Sequence, residues 1–237
     1  MNKIGLFILV IGLGAGFSSC KKKGCTDSTA TNYNGKAKKD DGSCLYKPMI
    51  TIIGAADTTV SVGSNYADPG ATATNKDGSS VEVIADNQVV TTATGVNFVN
   101  YLATNANGTS TAKRTVNVVI GQDNWTVAWD VTSGGSECSA TLFPLAGAPT
   151  ISAGATANDL VIEGMFTLVG GTATATVNGA SITIPEQTIS ITVGDVIFSG
   201  VGTMNPAGNI ITITYTWENN TPFIGGSGVC VATYVKQ

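Results

Sequence analysis

The stretch Ile211-Thr212-Ile213-Thr214-Tyr215-Thr216-Trp217 alternates large apolar residues with threonine along its whole length. Side chains two residues apart in a strand point to the same face, so this pattern predicts a strand with an apolar inner face and a threonine outer face. A second alternation comprises Trp125, Val127, Trp129 and Val131. We therefore predict strands in both places and an all-β fold around them.

The rest of residues 121–237 repeats this pattern in short runs. Turn-forming pairs separate most of the runs: Gly170-Gly171, Asn178-Gly179, Gly194-Asp195 and Gly208-Asn209. The runs themselves are Leu160 to Val169, Thr172 to Val177, Ser181 to Ile184, Ile189 to Val193, Val196 to Val201 and Val229 to Val235. About eight or nine strands with tight turns predict an antiparallel meander, closed as a small barrel or folded as a sandwich.

Residues 48–120 form a separate group of short alternating segments. Ile50 and Ile52 alternate with polar residues, as do Val60 and Val62, and Asp77-Gly78 marks a turn. Roughly seven strands in so short a segment predict an immunoglobulin-like sandwich.

The charge is divided unevenly along the chain. Residues 20–47 hold seven lysines against three aspartates, whereas residues 48–237 hold four cations against thirteen carboxylates, a net charge of −9. The globular part would repel a polyanion, so we expect no nucleic-acid partner. The chain contains no histidine, which removes the commonest general base and the commonest metal ligand.

The first 19 residues have the pattern of an export signal. Asn2-Lys3 is followed by 14 apolar or glycine residues, Ile4 to Phe17, a run too short to span a bilayer, and then by Ser18-Ser19-Cys20. This ending resembles the lipobox of bacterial lipoproteins. The resemblance implies that Cys20 is acylated and becomes the first residue of an exported protein, anchored in the outer membrane and facing the periplasm or the cell surface.

Four further cysteines remain in an exported chain: Cys25, Cys44, Cys138 and Cys230. They allow three pairings. Cys25 and Cys44 bracket one short polar segment, and the other two lie in predicted strands near the two ends of the last domain. We therefore predict the disulfides Cys25–Cys44 and Cys138–Cys230.

The segment of residues 20–47 is too polar to form a core. Its C-T-D-x-x-A-x-N-Y-N…D-D-G-S-C pattern resembles a short motif common in secreted proteins of Bacteroidota, which implies no activity. Oxygen donors of the kind Ca²⁺ prefers are Asp27, Asn32, Asn34, Asp40 and Asp41. The alternative is that these side chains only stabilise turns. We expect no cofactor, and Ca²⁺ is the one alternative that we consider.

Two resemblances concern the domains. Val62 to Thr74, with its Tyr66-Ala67-Asp68-Pro69-Gly70 core, resembles a bacterial Ig-like family found in insecticidal crystal proteins and surface proteins, which implies spacing or binding. Asn75 and Asn105 stand where many relatives carry Asp. Ile182-Thr183-Ile184-Pro185-x-Gln187 and Ser199-Gly200-x-Gly202-Thr203 resemble β-domains of uncharacterised Bacteroidota lipoproteins, and this resemblance implies no function.

The sequence thus predicts a signal peptide at 1–19, an anchored linker at 20–47, an Ig-like domain at 48–120 and a meander domain at 121–237. We expect a non-catalytic binding or adhesion module whose ligand is a glycan, a protein or a small apolar molecule. The alternatives are a structural component of the envelope and a glycan-active enzyme. The last would use two of the acids of the final domain, which are Asp123, Asp130, Glu137, Asp159, Glu163, Glu186, Asp195 and Glu218.

Overall fold

The structure is a computed structural model that describes residues 21–132, 137–138, 149–166, 170–191, 194–223 and 225–237. The signal segment and Cys20 lie outside these residues. The described part is almost entirely β-structure, as predicted, and its helical element is α1 (Gln122–Trp125). Among the described residues, no helix has the length and apolar content needed to cross a membrane.

The first β-unit has two sheets, as an Ig-like sandwich requires. Its strands are β1 (Met49–Ile52), β2 (Asp57–Ser61), β3 (Ala71–Thr74), β4 (Ser80–Val81), β5 (Val83–Asn87), β6 (Gly95–Asn105) and β7 (Gly108–Val119). One sheet has the order β1-β3-β4 and the other β2-β7-β6-β5, with β2 parallel to β7. Val99, Tyr101, Val116 and Val118 point inward from β6 and β7 and are almost fully buried.

The second β-unit is a single sheet that nearly closes on itself. Its strands are β8 (Trp129–Val131), β9 (Glu137–Cys138), β10 (Thr150–Ala153), β11 (Asp159–Phe166), β12 (Gly170–Asn178), β13 (Ser181–Ile191), β14 (Gly194–Met204), β15 (Ile210–Asn219) and β16 (Gly226–Lys236). The order is β10-β11-β12-β13-β14-β15-β16-β8, with β9 also paired to β16. Ala128, just before β8, forms an antiparallel bridge with Thr150 at the start of β10. The barrel-like alternative of the prediction is therefore the one observed.

The alternation that opened the sequence analysis decides the two faces of β15. Ile211, Ile213 and Tyr215 are buried inside the sheet, and the threonines between them are exposed. The Tyr215 hydroxyl lies 2.8 Å from the hydroxyl of Tyr234 on β16, so the two buried phenols satisfy each other.

Two glycines of β14 let this core close. A Cβ at Gly200 would lie 2.8 Å from Cδ1 of Tyr215, and one at Gly202 would lie 2.4 Å from the carbonyl oxygen of Thr212. Both distances are shorter than a side chain tolerates, so the Tyr215 ring packs directly on the backbone at Gly200, and the backbone of β15 lies close against Gly202. The Ser199-Gly200-x-Gly202-Thr203 pattern therefore has a packing explanation.

Two strand predictions were wrong in detail. Trp125 belongs to α1 rather than to a strand shared with Trp129, although both indoles are fully buried. The run at 181–184 and residues 189–191 of the next predicted run are parts of one strand, β13, whose register shifts between Ile184 and Gln187, and residues 192–193 lie outside the described residues. Near this bulge the Gln187 side chain accepts a hydrogen bond from the Thr174 N–H and donates one to the Thr174 carbonyl. It thereby replaces a pair of backbone hydrogen bonds between β12 and β13.

The two β-units pack against each other. Val62, Val118 and Ile120 belong to the same cluster of buried residues as the interior of the second unit. Asn124 of α1 is buried and donates to the Val62 carbonyl at 2.7 Å, and the backbone N–H of Thr94 donates to the Pro206 carbonyl at 2.9 Å. Because apolar packing is joined by hydrogen bonds here, we expect the two units to move together.

Candidate functional site

The Cys-bracketed segment is closed by the predicted Cys25–Cys44 disulfide, whose Cα atoms are 4.8 Å apart. Backbone hydrogen bonds join its two ends: Thr31 N–H donates to the Leu45 carbonyl at 2.8 Å, and Asn34 N–H donates to the Cys25 carbonyl at 2.9 Å. The segment thus obtains its order from a covalent tie and polar contacts rather than from a core.

The two predicted calcium ligands that cross-link this segment are Asp27 and Asn32. Asp27 accepts hydrogen bonds from the hydroxyl and N–H of Thr29 and, through its second oxygen, from the Tyr46 hydroxyl at 2.7 Å. These donors, with Thr29 first, lower the pKa of Asp27 to about 2. Asn32 accepts from the Leu45 N–H at 2.8 Å and donates to the Ser43 carbonyl at 2.6 Å.

The other three predicted calcium ligands stabilise local turns. Each accepts a hydrogen bond from the N–H two residues later, which is the Asx-turn arrangement: Asn34 from Lys36, Asp40 from Gly42, and Asp41 from Ser43. No three His, Cys, Asp or Glu side chains within the described ranges lie close enough to hold a metal ion together. The observed contacts agree with the turn alternative, and calcium binding stays a prediction.

The junction between this segment and the Ig-like domain is held by the turn between β6 and β7. Asn105 and Asn107 both donate to the Tyr46 carbonyl, at 2.9 and 3.2 Å, and Ser110 donates to the Pro48 carbonyl at 2.6 Å. Asn105 also donates to the Asn75 side-chain oxygen at 2.7 Å, which connects this turn to the turn after β3. Three segments of the chain therefore meet at Tyr46.

An open groove of about 520 Å³ lies at this junction. Its lining residues are Cys44, Tyr46, Asn75, Lys76, Asp77, Asn105, Ala106 and Asn107. The volume falls within the range of about 300–1,000 Å³ that is usual for small-molecule sites. The lining combines one aromatic ring, three amides, one ammonium and one carboxylate.

Charges of both signs surround the Tyr46 ring. The Lys76 ammonium lies 5.0 Å from the ring centroid, within reach of a cation–π contact. The hydrogen bond to Asp27 raises the pKa of Tyr46, with smaller contributions from burial and from the charges of Asp27 and Asp40. The phenol therefore stays neutral at physiological pH and keeps the ring fixed by its bond to Asp27.

Sequence reasoning did not identify this groove. It recognised Asp77-Gly78 as a turn and noted Asn75 and Asn105 only as departures from a family pattern. No local sequence pattern identifies Tyr46, Lys76 or Asn107 as site residues. The three segments that carry them are about 30 residues apart along the chain and meet only in the folded protein.

A buried ion pair lies in the interior of the Ig-like domain, away from the groove. The Arg114 guanidinium is 1% exposed, and its Nε lies 2.9 Å from Oδ1 of Asp68 and 3.1 Å from the Tyr101 hydroxyl. The same guanidinium donates to the carbonyls of Ile53, Ala55 and Gly70. Asp68, from the Asp-Pro-Gly turn, thus joins two loops to β7 through Arg114, which indicates a structural role.

The last two cysteines lie in adjacent strands. Cys230 is buried and disulfide-bonded, and the register places Cys138 of β9 directly opposite it. The Cys138 side chain lies outside the described part of the structure, so the pair Cys138–Cys230 stays a prediction that the register favours.

Two of the carboxylates considered for catalysis share a groove on the outer face of the barrel-like sheet. Glu186 and Glu218 line this groove of about 360 Å³ together with Ile197, Trp217 and other residues of β14–β16. Both glutamates are exposed.

Comparisons with known proteins agree with part of this description. Residues 50–118 match the family described as bacterial surface protein, Ig-like domain. The crystal structure of the lipoprotein BT2262 from Bacteroides thetaiotaomicron is similar to this chain at 15% identity, over 80% of this chain and 100% of that one, with a TM-score of 0.27. No curated protein matches. The segment 50–118 is therefore similar to Ig-like domains of bacterial surface proteins.

Proposed function

We propose that this chain is a lipid-anchored, non-catalytic binding protein of the cell envelope, with the groove at Tyr46 as its ligand site. The export pattern ending at Cys20 supports the anchor, and the match of residues 50–118 to a surface-protein domain supports display outside the cytoplasm. We place the anchor in the outer membrane because the Cys-bracketed motif resembles one from secreted proteins of Bacteroidota.

The observation that carries the binding role is the groove at a junction of three fixed segments. Its walls are joined to one another by Asn75, Asn105 and Asn107, and the Cys25–Cys44 disulfide closes the segment that carries Tyr46. A ligand entering such a site orders few side chains, so little of its contact energy is lost to entropy. Preformed concave sites are the usual place for small ligands.

The second β-unit supports a display role in this proposal. It packs on the Ig-like domain at Val62, Thr94 and Ile120, so anchor, groove and barrel-like sheet follow one another in a single continuous body. Because the groove lies between the lipid-anchored segment and the Ig-like domain, we propose that the second β-unit extends beyond the groove, away from the membrane.

The test uses the mature chain reconstituted in detergent micelles and screened by thermal shift against libraries of oligosaccharides, peptides and apolar molecules. A ligand at 100 times its Kd stabilises the folded state by about 2.7 kcal/mol. The variant Ala106→Trp places a bulky ring in the groove, and Ala157→Trp places the same ring at another exposed turn. We expect stabilisation that Ala106→Trp removes and Ala157→Trp retains. If no ligand shows this dependence, the groove is not the binding site.

A second candidate, a structural role in envelope assembly, is favoured by one observation. The outer face of the β2-β7-β6-β5 sheet exposes Ile84, Val96, Phe98 and Leu102, with Ile84 and Val96 more than 60% exposed. Apolar side chains exposed on one face of a sheet favour contact with another protein. The double variant Ile84→Ser/Val96→Ser should abolish chemical cross-linking to a neighbour in intact cells if this role is correct, whereas Val201→Ser on the outer face of β14 should not.

The absence of catalysis is also part of the proposal. The exposed positions of Glu186 and Glu218 support it. We expect no hydrolysis of chromogenic glycosides above the buffer rate, and hydrolysis that Glu186→Gln or Glu218→Gln abolishes would contradict the non-catalytic assignment.

A further inference from the structure

We infer that the ligand of the groove at Tyr46 is a neutral oligosaccharide, an inference that rests on the proposed function of this groove. The chemistry of the lining carries it. A sugar presents hydroxyl groups, which donate and accept hydrogen bonds, next to apolar C–H faces. The groove offers both kinds of partner within a volume of about 520 Å³.

The polar lining contains donors and acceptors side by side. Asp77 uses Oδ1 for the N–H and hydroxyl of Ser79, so its second oxygen remains for a ligand hydroxyl among the described contacts. Asn107 uses its amide nitrogen for Tyr46, so its side-chain oxygen is a further acceptor at the groove wall. The Lys76 ammonium carries three N–H donors.

The aromatic lining provides the apolar partner. The Tyr46 ring is half-buried, its hydroxyl is bound to Asp27 at 2.7 Å, and its backbone carbonyl is bound to two asparagines. A ring held at both ends is a rigid platform that loses little entropy when a ligand packs on it. The C–H face of a pyranose ring can pack on this platform beside the Lys76 ammonium, which lies 5.0 Å from the ring centroid.

Other ligand classes fit this groove less well. Peptides that bind by strand addition need a sheet edge, but turns form these walls: residues 75–78 follow β3, and residues 105–107 connect β6 to β7. An apolar ligand would cover the Lys76 ammonium, the second Asp77 oxygen and the Asn107 side-chain oxygen without offering them a hydrogen bond. The lining contains one ammonium, Lys76, and one carboxylate, Asp77, so its formal charges cancel, which favours a neutral glycan over an acidic one.

The experiment titrates the reconstituted mature chain with two sets of oligosaccharides of matched size, one neutral and one containing uronic acids, by isothermal calorimetry. We expect a neutral oligosaccharide to bind and Ala106→Trp to weaken it at least about tenfold. Lys76→Ala should weaken it about three- to tenfold, the loss expected for one hydrogen bond.

Lys113→Ala is the matched control, because the Lys113 ammonium lies 4.2 Å from the Phe98 ring centroid in a second lysine–aromatic pair of the same domain, away from the groove. This variant should leave affinity unchanged. Because Lys76 and Lys113 are exposed surface residues, both variants should fold like the parent.

The outcomes separate the ligand class from the groove itself. If an acidic glycan or a peptide binds and Ala106→Trp abolishes that binding, the neutral-oligosaccharide inference is wrong and the proposed function stands. If a neutral oligosaccharide binds equally well to the parent and to Ala106→Trp, the groove is not its site and the proposed function fails with the inference. If no neutral oligosaccharide binds, the ligand class is wrong.

Discussion

Removing the Asp68 carboxylate should destabilise the Ig-like domain far more than removing an exposed charge. Oδ1 of Asp68 lies 2.9 Å from Nε of Arg114, which is 1% exposed, and it accepts a hydrogen bond from the Tyr101 hydroxyl at 2.7 Å. Asp68→Ala leaves a buried positive charge without its partner. Breaking a buried ion pair in this way costs about 3–5 kcal/mol.

A double variant separates the cost of the unpaired buried charge from the cost of the lost hydrogen bonds. In Arg114→Met/Asp68→Ala no buried charge remains, but the carbonyls of Ile53 and Ala55 lose this donor, whereas the Gly70 carbonyl keeps the N–H of Ile53. Each hydrogen bond lost costs about 0.5–1.5 kcal/mol, so the double variant should remain less stable than the parent.

The measurement is urea unfolding of the reconstituted mature chain, followed by the near-ultraviolet circular dichroism of tyrosine and by hydrogen exchange at β2 and β7. Lys113→Ala, on the same strand as Arg114 but exposed, should change the free energy of unfolding by about 0.5–1 kcal/mol. A loss below about 1 kcal/mol in Asp68→Ala would refute the assignment of this pair as a structural tie, as would full recovery in the double variant.

Three further predictions concern the barrel interior, the anchor and the Cys-bracketed segment. Burial raises the pKa of Tyr234 to about 12 and that of Tyr215 well above its usual value, so the stability of the neutral pair is complete below pH about 10 and is lost as the pH rises to about 12. Tyr215→Phe should lower the free energy of unfolding by about 1–3 kcal/mol, because it leaves the buried Tyr234 hydroxyl without a partner. Tyr215→Phe/Tyr234→Phe should restore most of this loss. Equal losses of unfolding free energy in the single and the double variant would contradict this explanation. In detergent phase partitioning, Cys20→Ala should shift the exported chain from the detergent phase to the aqueous phase. A parent chain that carries no acyl label after metabolic labelling would contradict the lipid anchor. Calcium titration of the mature chain should show no binding tighter than about 10 μM, whereas reduction of Cys25–Cys44 should loosen the segment in hydrogen exchange; tight binding would make it a calcium module.

How far the sequence predicts the fold differs between elements. Strict alternation at 211–217 predicted both faces of β15, because the period of two is a property of the strand itself. Alternation at Trp125 and Trp129 was misleading, since both indoles are buried for a tertiary reason: Trp125 donates to the Gly179 carbonyl from α1, and Trp129 donates to the Trp125 carbonyl. A short apolar pattern does not distinguish a strand from a helical turn whose side chains face the same core.

The candidate site depends on contacts between distant segments even more than the fold does. Oxygen-rich residue types at 27–41 predicted either calcium or turns, and the choice depends on where each oxygen finds a donor, such as the Tyr46 hydroxyl for Asp27. The groove brings together residues from three separate segments, and nothing local marks Lys76 or Asn107 as neighbours of Tyr46.

The amino-acid sequence by itself determined the all-β fold, the export pattern and the disulfide between Cys25 and Cys44, because alternation, apolar run length and cysteine spacing are local properties of the chain. Only the tertiary structure decided that the last sheet closes through the Ala128–Thr150 bridge rather than folding as a sandwich. It also decided that an open groove forms at Tyr46. Closure and concavity depend on how distant segments twist and pack together, and these long-range contacts leave no periodic mark in the sequence.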